Sequence, residues 1–267
     1  MGGPVYLLRG SPSTDGPGLD GPRIARHHQP IGSVPLVIGS PTRLAQDLFA
    51  PLAPGYERWA RILSLGQDPR WRRHMVRSIA VEPGSEALDI AAGTGSITRL
   101  LQAEGAHVIS LDQNLQMLGA ALERGATGVL ATGESLPFRD QAFDAVTFGY
   151  LLRYVTDVTG CMVEIRRVLR PGGRVGMVEF GRPRGLWRPL WWFYTRIGLP
   201  VAGLVAGRGW YRVGRFLGPS IDDFTDRHPV ERLVASWEAA GLVDVHLARL
   251  SLGGGLVMWG RRPKADT

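Results

Sequence analysis

"ALDIAAGTGS", Ala87 to Ser96, joins an apolar run to a turn of small residues, and the helix-like run SITRLL begins at Ser96. A strand, a glycine turn and a helix in this order are typical of a doubly wound α/β sheet, in which ligands bind beyond the carboxyl ends of the strands. Glycines let the backbone approach a ligand closely, and the helix N-terminus attracts negative charge. The stretch therefore predicts a nucleotide-like cofactor above this turn.

Three residues near the turn distinguish between cofactors. A dinucleotide site has a third glycine or alanine where this chain has Thr98, which weakens the case for NAD or FAD. The next apolar run, HVISLD, ends in Asp112, where a carboxylate can accept hydrogen bonds from both hydroxyls of a ribose. Asp89 precedes the turn and suits the ammonium group of S-adenosylmethionine. We therefore favour S-adenosylmethionine as the cofactor; the alternative is a tight structural turn with two surface acids.

Short β-like runs alternate with helical runs through the middle of the chain, which predicts a mostly parallel sheet with crossover helices. A helical pattern broken by prolines precedes them, and the strand-like runs VDVHLARLS and GLVMWGRR close the chain. The expected divisions are a mobile Gly/Pro-rich extension over 1–40, a helical cap over 41–82, a cofactor-binding core over 83–183, an aromatic lid or substrate segment over 184–227, and a closing helix with strands over 228–267.

The composition narrows the class of protein. Of the 267 residues, 44% are hydrophobic and 21% are charged, which is ordinary for a domain with a sizeable core. The formal net charge of +7 is carried by arginine, but no basic and aromatic motif of a nucleic-acid module accompanies it, so we expect no nucleic-acid partner. The single cysteine, Cys161, excludes an internal disulfide, and the histidines have no metal-ligand spacing, so we expect no metal. The start of the sequence is unlike a secretory signal, which favours the cytoplasm.

The segment RGLWRPLWWFYTRIGLPVAGLVAG, Arg184 to Gly207, is the most aromatic part of the chain. Its apolar runs are too short to span a bilayer, and arginines and prolines interrupt them. Neighbouring tryptophan and arginine side chains suit a membrane interface or the mouth of an apolar pocket; a lid helix packed on the core is the plainer alternative. The two interpretations are compatible, and we expect peripheral membrane contact through residues 184–207.

Several further motifs surround the glycine turn: LSLGQDPRWRR, ISLDQNLQML, GESLPFRDQAFDAVTFGYLLRYVTD and EIRRVLRPGGRVGMVEFGRP. Together with LDIAAGTG they resemble the ubiquinone/menaquinone biosynthesis C-methyltransferases, a class I S-adenosylmethionine-dependent family. The resemblance covers roughly residues 44–262. It implies a Rossmann-like α/β fold: a seven-stranded, mostly parallel sheet with helices on both faces, a helical N-terminal segment and a lid inserted before the last helix.

The resemblance also implies a cofactor site in which Asp112 binds the ribose hydroxyls and Met117 packs against the adenine. Two positions depart from the family: Thr132 stands where Asp or Asn often meets the adenine amino group, and Ser96 is also atypical. We therefore expect weaker cofactor binding or a backbone substitute at Thr132. The predicted cofactor-binding residues are Asp89, Gly93, Gly95, Thr98, Asp112, Gln113, Met117, Thr132, Gly133 and Glu134.

The family resemblance implies that the acceptor is a lipophilic quinol, such as a demethylmenaquinol, that is methylated on carbon. A ring hydroxyl has to lose its proton to make the carbon nucleophilic, and an Arg-Asn pair assists in the family. This chain has Arg153 followed by Tyr154, so we predict that Arg153 stabilises the developing phenolate and that Tyr154 substitutes for the asparagine or lines the pocket. Two alternatives stay open: a diverged enzyme that methylates another aromatic or lipid-like molecule, and a non-catalytic scaffold with the same fold.

Overall fold

The computed structural model describes residues 7–9, 47–53 and 55–264. Eight of its segments are strands that form one sheet. Their bounds are β1 (Leu7–Arg9), β2 (Glu86–Ile90), β3 (His107–Asp112), β4 (Thr127–Leu130), β5 (Phe143–Gly149), β6 (Leu169–Phe180), β7 (Val243–Leu250) and β8 (Gly255–Arg261).

The strand order is β1-β4-β3-β2-β5-β6-β8-β7. The five strands from β4 to β6 in this order are parallel, while β1 pairs antiparallel with β4 and β8 pairs antiparallel with both β6 and β7. Strands β2 to β8 are the seven-stranded, mostly parallel sheet that the sequence predicts, and this prediction is confirmed. Strand β1 was not foreseen; the remainder of the extension predicted over 1–40 lies outside the described residues.

Helices connect these strands and cover both faces of the sheet. Their bounds are α1 (Tyr56–Leu63), α2 (Gln67–Ile79), α3 (Ser96–Ala103), α4 (Leu115–Leu122), α5 (Val158–Val168), α6 (Arg188–Phe193), α7 (Leu199–Ala206), α8 (Arg208–Arg227) and α9 (Val230–Ala239). A short 3-10 turn, Leu152–Tyr154, follows β5, and a π-helical turn, Tyr194–Gly198, joins α6 to α7.

Alternation along the strands divides the core into two layers. Successive side chains of a strand point to opposite faces, so Leu88 belongs to the cluster under α5 and α9, whereas its neighbour Ala87 belongs to the cluster under α2 and α3. Trp237 of α9 and Met75 of α2 are fully enclosed, one in each layer. Because both faces are covered, the carboxyl edge of the parallel strands is left to form a site.

Between β6 and α9 lie α6, α7 and α8, which we call the lid (185–227). Helices α7 and α8 cross closely at glycines: a Cβ atom at Gly203 would lie 2.6 Å from the Trp210 carbonyl oxygen, and one at Gly214 would lie 2.7 Å from the Leu199 carbonyl oxygen. Trp210 and Val213 of α8 also pack against Leu48 and Leu52, so the lid contacts the N-terminal helical segment. Within the ranges that the structure describes, no helix is long and apolar enough to cross a membrane.

Candidate active site

A cavity lies at the carboxyl ends of the parallel strands, beneath the lid. One half is lined by the loops that follow β2, β3, β4 and β5. Its residues include Gly93, Thr94, Asp112, Gln113, Met117, Thr132, Gly133 and Glu134, while Tyr150, Arg153 and Tyr154 line its boundary with the other half. The other half is predominantly apolar and is lined by α1 and the lid, with Tyr56, Leu63, Trp191, Tyr194, Leu199, Trp210, Val213 and Ile221.

Asp112 sits at the tip of β3 and faces this cavity. Its Oδ2 accepts a hydrogen bond from the Gly93 backbone N–H at 2.8 Å, and its Oδ1 accepts one from the Asn114 N–H at 2.8 Å. Burial raises the pKa of the Asp112 carboxyl above its ordinary value, although these backbone donors oppose the rise. Each oxygen keeps a lone pair for a further donor, so the carboxylate can bind two hydroxyls side by side.

Asp89 lies below the turn, fully buried, and it does not line the cavity. Its Oδ2 accepts from the Thr98 hydroxyl at 2.8 Å and its Oδ1 accepts from the Thr147 hydroxyl at 3.1 Å. Ser110 lies 2.8 Å from the Thr98 hydroxyl and completes this buried network. The structure therefore places Asp89 and Thr98, both predicted to bind cofactor, beneath the glycine turn, where they tie β2, α3, β3 and β5 together.

The glycine turn itself is shaped by residues with positive φ. Gly93 has φ of 57° and Gly95 has φ of 80°. A Cβ at Gly95 would lie 3.1 Å from the Ala121 Cβ, so a glycine is required for α3 to start close to α4. Gly95 is outside the cavity lining, whereas Gly93 lines it, and a Cβ at Gly93 would lie 3.4 Å from the Met117 methyl group.

Glu57 of α1 binds the same turn through its carboxylate. Its Oε1 accepts from the Thr94 hydroxyl at 2.9 Å and the Ser96 hydroxyl at 3.1 Å, and its Oε2 accepts from Arg99 at 2.6 Å. Burial alone would raise the pKa of Glu57, but these donors outweigh it and lower the pKa below its ordinary value. Ser96, which is atypical of the family, thus has Glu57 as a structural partner, and this contact links α1 to the glycine turn.

The loop after β4 holds the predicted adenine side of the site. Thr132 is exposed at the cavity rim, and a Cβ at Gly133 would lie 3.0 Å from the Leu151 side chain. The Glu134 carboxylate accepts hydrogen bonds from both the backbone N–H and the hydroxyl of Thr156, each at 2.6 Å. Glu134 therefore ties this loop to the segment after β5.

Arg153 is buried between the two halves of the cavity. Its Nε lies 3.0 Å from Oε1 of the fully buried Glu179, and its guanidinium lies over the rings of Tyr150, Tyr154 and Phe180, 5.2–5.8 Å from their centroids. Burial alone would lower the pKa of Arg153, but the charge of Glu179 outweighs it, and the pKa is raised. Among the described residues, Arg153 Nη1 has no hydrogen-bond partner. The arrangement holds a permanent positive charge at the wall of an apolar pocket.

Sequence reasoning missed a second polar group beside Arg153. Asp68 of α2 accepts from Arg72 Nε at 2.8 Å, and the Tyr150 hydroxyl donates to the same carboxylate. All three residues line the cavity, and the Arg72 guanidinium lies 5.3 Å from the centroid of the Tyr150 ring. The four-residue spacing of Asp68 and Arg72 was a visible signal for a helix ion pair, but nothing in the sequence shows that the pair is buried against the site.

Cys161 does not line the cavity. Cys161 is buried in α5, and burial raises the pKa of its thiol to about 12, so it is neutral and inert at physiological pH. In the described ranges, no three His, Cys, Asp or Glu side chains are grouped to hold a metal ion.

The half of the cavity lined by the loops after β2, β3 and β4, which we call the donor half, fits an adenosyl group on two grounds. The buried Asp112 carboxylate ends β3, and the loop backbone comes close to the cavity at Gly93, where φ is 57°, and at Gly133, where a Cβ would lie 3.0 Å from Leu151. The sheet order, the glycine turn and the covered cavity define a class I S-adenosylmethionine-dependent methyltransferase. A profile of the ubiE/COQ5 methyltransferase family matches residues 39–261, and the chain belongs to that family.

Relatives with curated names agree with this assignment. The chain is 36% identical over 225 residues to the ubiquinone/menaquinone biosynthesis C-methyltransferase UbiE of Desulfotalea psychrophila, covering 80% of this chain and 89% of the relative. It is 34% identical over 224 residues to the demethylmenaquinone methyltransferase of Tropheryma whipplei strain Twist, covering 82% of this chain and 91% of the relative.

Solved structures share the fold at low sequence identity. An S-adenosylmethionine-dependent methyltransferase from Thermotoga maritima has a TM-score of 0.56 at 17% identity, covering 81% of this chain and 99% of that chain. The phosphoethanolamine N-methyltransferase 2 of Haemonchus contortus, solved with S-adenosyl-L-methionine, has a TM-score of 0.54 at 15% identity, covering 72% of this chain and 52% of that chain. These likenesses support the fold alone.

Proposed function

We propose that this methyltransferase acts on a ring carbon of a lipophilic quinol of the demethylmenaquinol type. The observation that carries the proposal is Arg153, a buried cation at the boundary between a polar, cofactor-sized half of the cavity and an apolar half. The names of the relatives support the same acceptor class. A quinol suits such a pocket because its ring is apolar and its hydroxyl becomes anionic during the reaction.

In the donor half, we assign the ribose hydroxyls of S-adenosylmethionine to Asp112. We assign the methionine end to the backbone at Gly93, and the adenine to Met117, Gln113 and the loop at Thr132 and Gly133. When bound, the donor supplies an electrophilic methyl group. The Asp89 and Thr98 network acts indirectly by holding the glycine turn in place.

In the acceptor half, the Arg153 charge stabilises the anionic ring oxygen after its hydroxyl proton has passed to solvent. The neighbouring carbon then forms a bond to the methyl group while the sulfur of the donor keeps the electron pair of the broken S–CH3 bond. That carbon finally loses its own proton to solvent, which restores the aromatic ring. The Arg153 charge is worth most in a site that excludes water, because the surrounding rings lower the local dielectric constant. Glu179 keeps the guanidinium oriented, and the Tyr154 ring, 5.3 Å from the guanidinium carbon, forms the wall where the family places asparagine. The lid closes the pocket over the acceptor.

The test is methyl transfer to reduced demethylmenaquinol in detergent micelles, followed by mass spectrometry for a gain of one methyl group. Removing only Arg153 would leave Glu179 buried without its partner and would threaten folding. The informative variant is therefore the double substitution Arg153→Gln with Glu179→Gln. We expect it to lower turnover by about 100-fold, the loss typical of a missing electrostatic stabiliser.

A matched control removes an exposed arginine–carboxylate pair outside the lid and the cavity lining, Arg261→Gln with Asp244→Asn, which should leave turnover unchanged. Calorimetry should show the same S-adenosylmethionine affinity in all three proteins, because neither pair belongs to the donor half. An unmethylated quinol with normal donor binding would overturn the proposed acceptor and favour another aromatic or lipid-like substrate. Full turnover in the Arg153 and Glu179 double variant would overturn the electrostatic role.

A further inference from the structure

The outer side of the lid is an exposed apolar surface, which we call the lid face (residues 186–205). It carries nine of the fourteen large hydrophobic side chains that are exposed in the described part of the chain. Leu186 is 94% exposed, Val205 is 82% exposed and Leu190 is 59% exposed, and two tryptophans lie among them. Apolar surface concentrated in this way marks an interaction site, whereas single exposed hydrophobic residues are ordinary.

Along the sequence, the charged residues in and around the lid face have one sign. From residue 181 to residue 221 the sequence contains seven arginines and no aspartate or glutamate. Arg188 and Arg208 are exposed, and no carboxylate of a described residue forms a close ion pair with either. The pKa of Asp226 is lowered by its hydrogen bond from Arg182 and, to a lesser extent, by the charge of Arg188. Three arginines are paired, but only with acids outside this stretch: Arg182 with Asp222 and Asp226, Arg184 with Glu231, and Arg196 with Asp222.

The inner side of the same helices lines the active-site cavity. In α6 and the π-helical turn, Leu190, Trp192 and Phe193 are exposed, while Trp191 and Tyr194 line the cavity. In α7, Leu199 lines the cavity and Val205 faces solvent. A single layer of helices therefore separates the lid face from the apolar half of the site.

We propose that the lid face docks the enzyme on an anionic lipid bilayer. Apolar and tryptophan side chains enter the interface, and arginines bind the lipid phosphates around them. The absence of acids across residues 181–221 favours a bilayer over a second copy of this chain, because a symmetric contact between two lid faces would bring arginines against arginines. The docking rests on this surface; its use, the entry of a lipid-soluble acceptor through the lid, rests on the proposed function.

The experiment is flotation of the full chain with phosphatidylcholine vesicles, with and without phosphatidylglycerol. The chain should bind the vesicles that contain phosphatidylglycerol, and added salt should weaken binding. Val205→Glu and Arg188→Glu should each lower the vesicle partition coefficient by about fivefold or more, since each interfacial charge contributes about that factor. The matched controls are the same substitutions at exposed positions elsewhere, Val163→Glu in α5 and Arg73→Glu in α2, and they should change nothing.

Three results would overturn the docking: no binding of the native chain to anionic vesicles, an equal loss in the control variants, or a dimer that Val205→Glu dissociates while vesicles stay unbound. The methylation of quinol in detergent separates this inference from the proposed function. Turnover in micelles without vesicle binding would remove the docking and keep the function. Vesicle binding without turnover would keep the docking and remove the function.

Discussion

Two aspartates near the carboxyl ends of neighbouring strands have different surroundings in this molecule. Asp112 is the last residue of β3 and faces the cavity, whereas Asp89 is the residue before the end of β2 and is enclosed by three hydroxyl-bearing neighbours. The sequence placed both acids at the carboxyl edge of the sheet. It could not separate their roles, because a shift of one residue along a strand moves the side chain from the edge into a covered face.

The buried position of Asp89 predicts how stability depends on pH. Burial raises its pKa from 3.8 to about 6, although the Thr98 and Thr147 hydroxyls favour the charged form. Between these pKa values the folded state binds more protons than the unfolded state, so this group's contribution to stability falls as pH rises from about 4 to about 6. Asp89→Asn keeps the shape and removes the titration. Between pH 4 and pH 7 its free energy of unfolding should gain about 2–2.5 kcal/mol relative to the native chain.

Urea unfolding of both proteins across this pH range measures the difference directly. A difference that stays flat with pH would show that Asp89 titrates alike in the folded and unfolded states, and it would contradict the buried network. The other buried acids are present in both proteins, so their titration cancels in the comparison.

At the scale of elements, the sequence predicted the alternating strands and helices of the core because their apolar periodicity is strong. The lid was foreseen as a segment, but its packing was not. Periodicity reports which residues are apolar, whereas the closeness of α7 and α8 depends on where Gly203 and Gly214 meet backbone atoms of the other helix. The sequence also could not show which face of α6 points inward, since both faces are aromatic.

The close crossing gives a prediction for the lid. In Gly203→Ala, the new methyl group would lie 2.6 Å from the Trp210 carbonyl oxygen and 2.8 Å from its carbon, so α7 and α8 must separate. Overpacking of this kind lowers the free energy of unfolding by about 1–3 kcal/mol. Hydrogen exchange should therefore speed up at the amides of α7 and α8 while β5 stays protected.

The control for the lid variant is Gly119→Ala in α4, where nothing lies within 4 Å of the added carbon. This substitution should raise the free energy of unfolding by about 0.5–1 kcal/mol, because alanine is more stable than glycine in a helix interior. If the lid amides of Gly203→Ala exchange at the native rate, α7 and α8 are already separated from each other in solution, and the close crossing is absent.

At the scale of the whole molecule, the cap, the core and the lid all contribute residues to the cavity. Glu57 links the cap to the glycine turn through a hydrogen bond. Trp210 and Val213 pack the lid against the N-terminal helical segment, and Asp112 links the glycine turn to β3. A donor held at Asp112 and Gly93 therefore binds where these parts converge. Its binding free energy should stabilise the folded chain as one unit.

Donor binding thus predicts a shift in thermal unfolding. At a concentration of S-adenosylmethionine about 100 times its Kd, the folded state gains about 2.7 kcal/mol, which raises Tm by about 5–10 °C in a chain of this size. Asp112→Ala should lose most of this shift at the same concentration, because the ribose loses its carboxylate partner. Asp140→Ala, an exposed acid paired with Arg167 and distant from the cavity lining, should keep the full shift. An undiminished shift in Asp112→Ala would place the donor elsewhere, and a shift lost equally in both variants would point to general destabilisation instead of a lost contact.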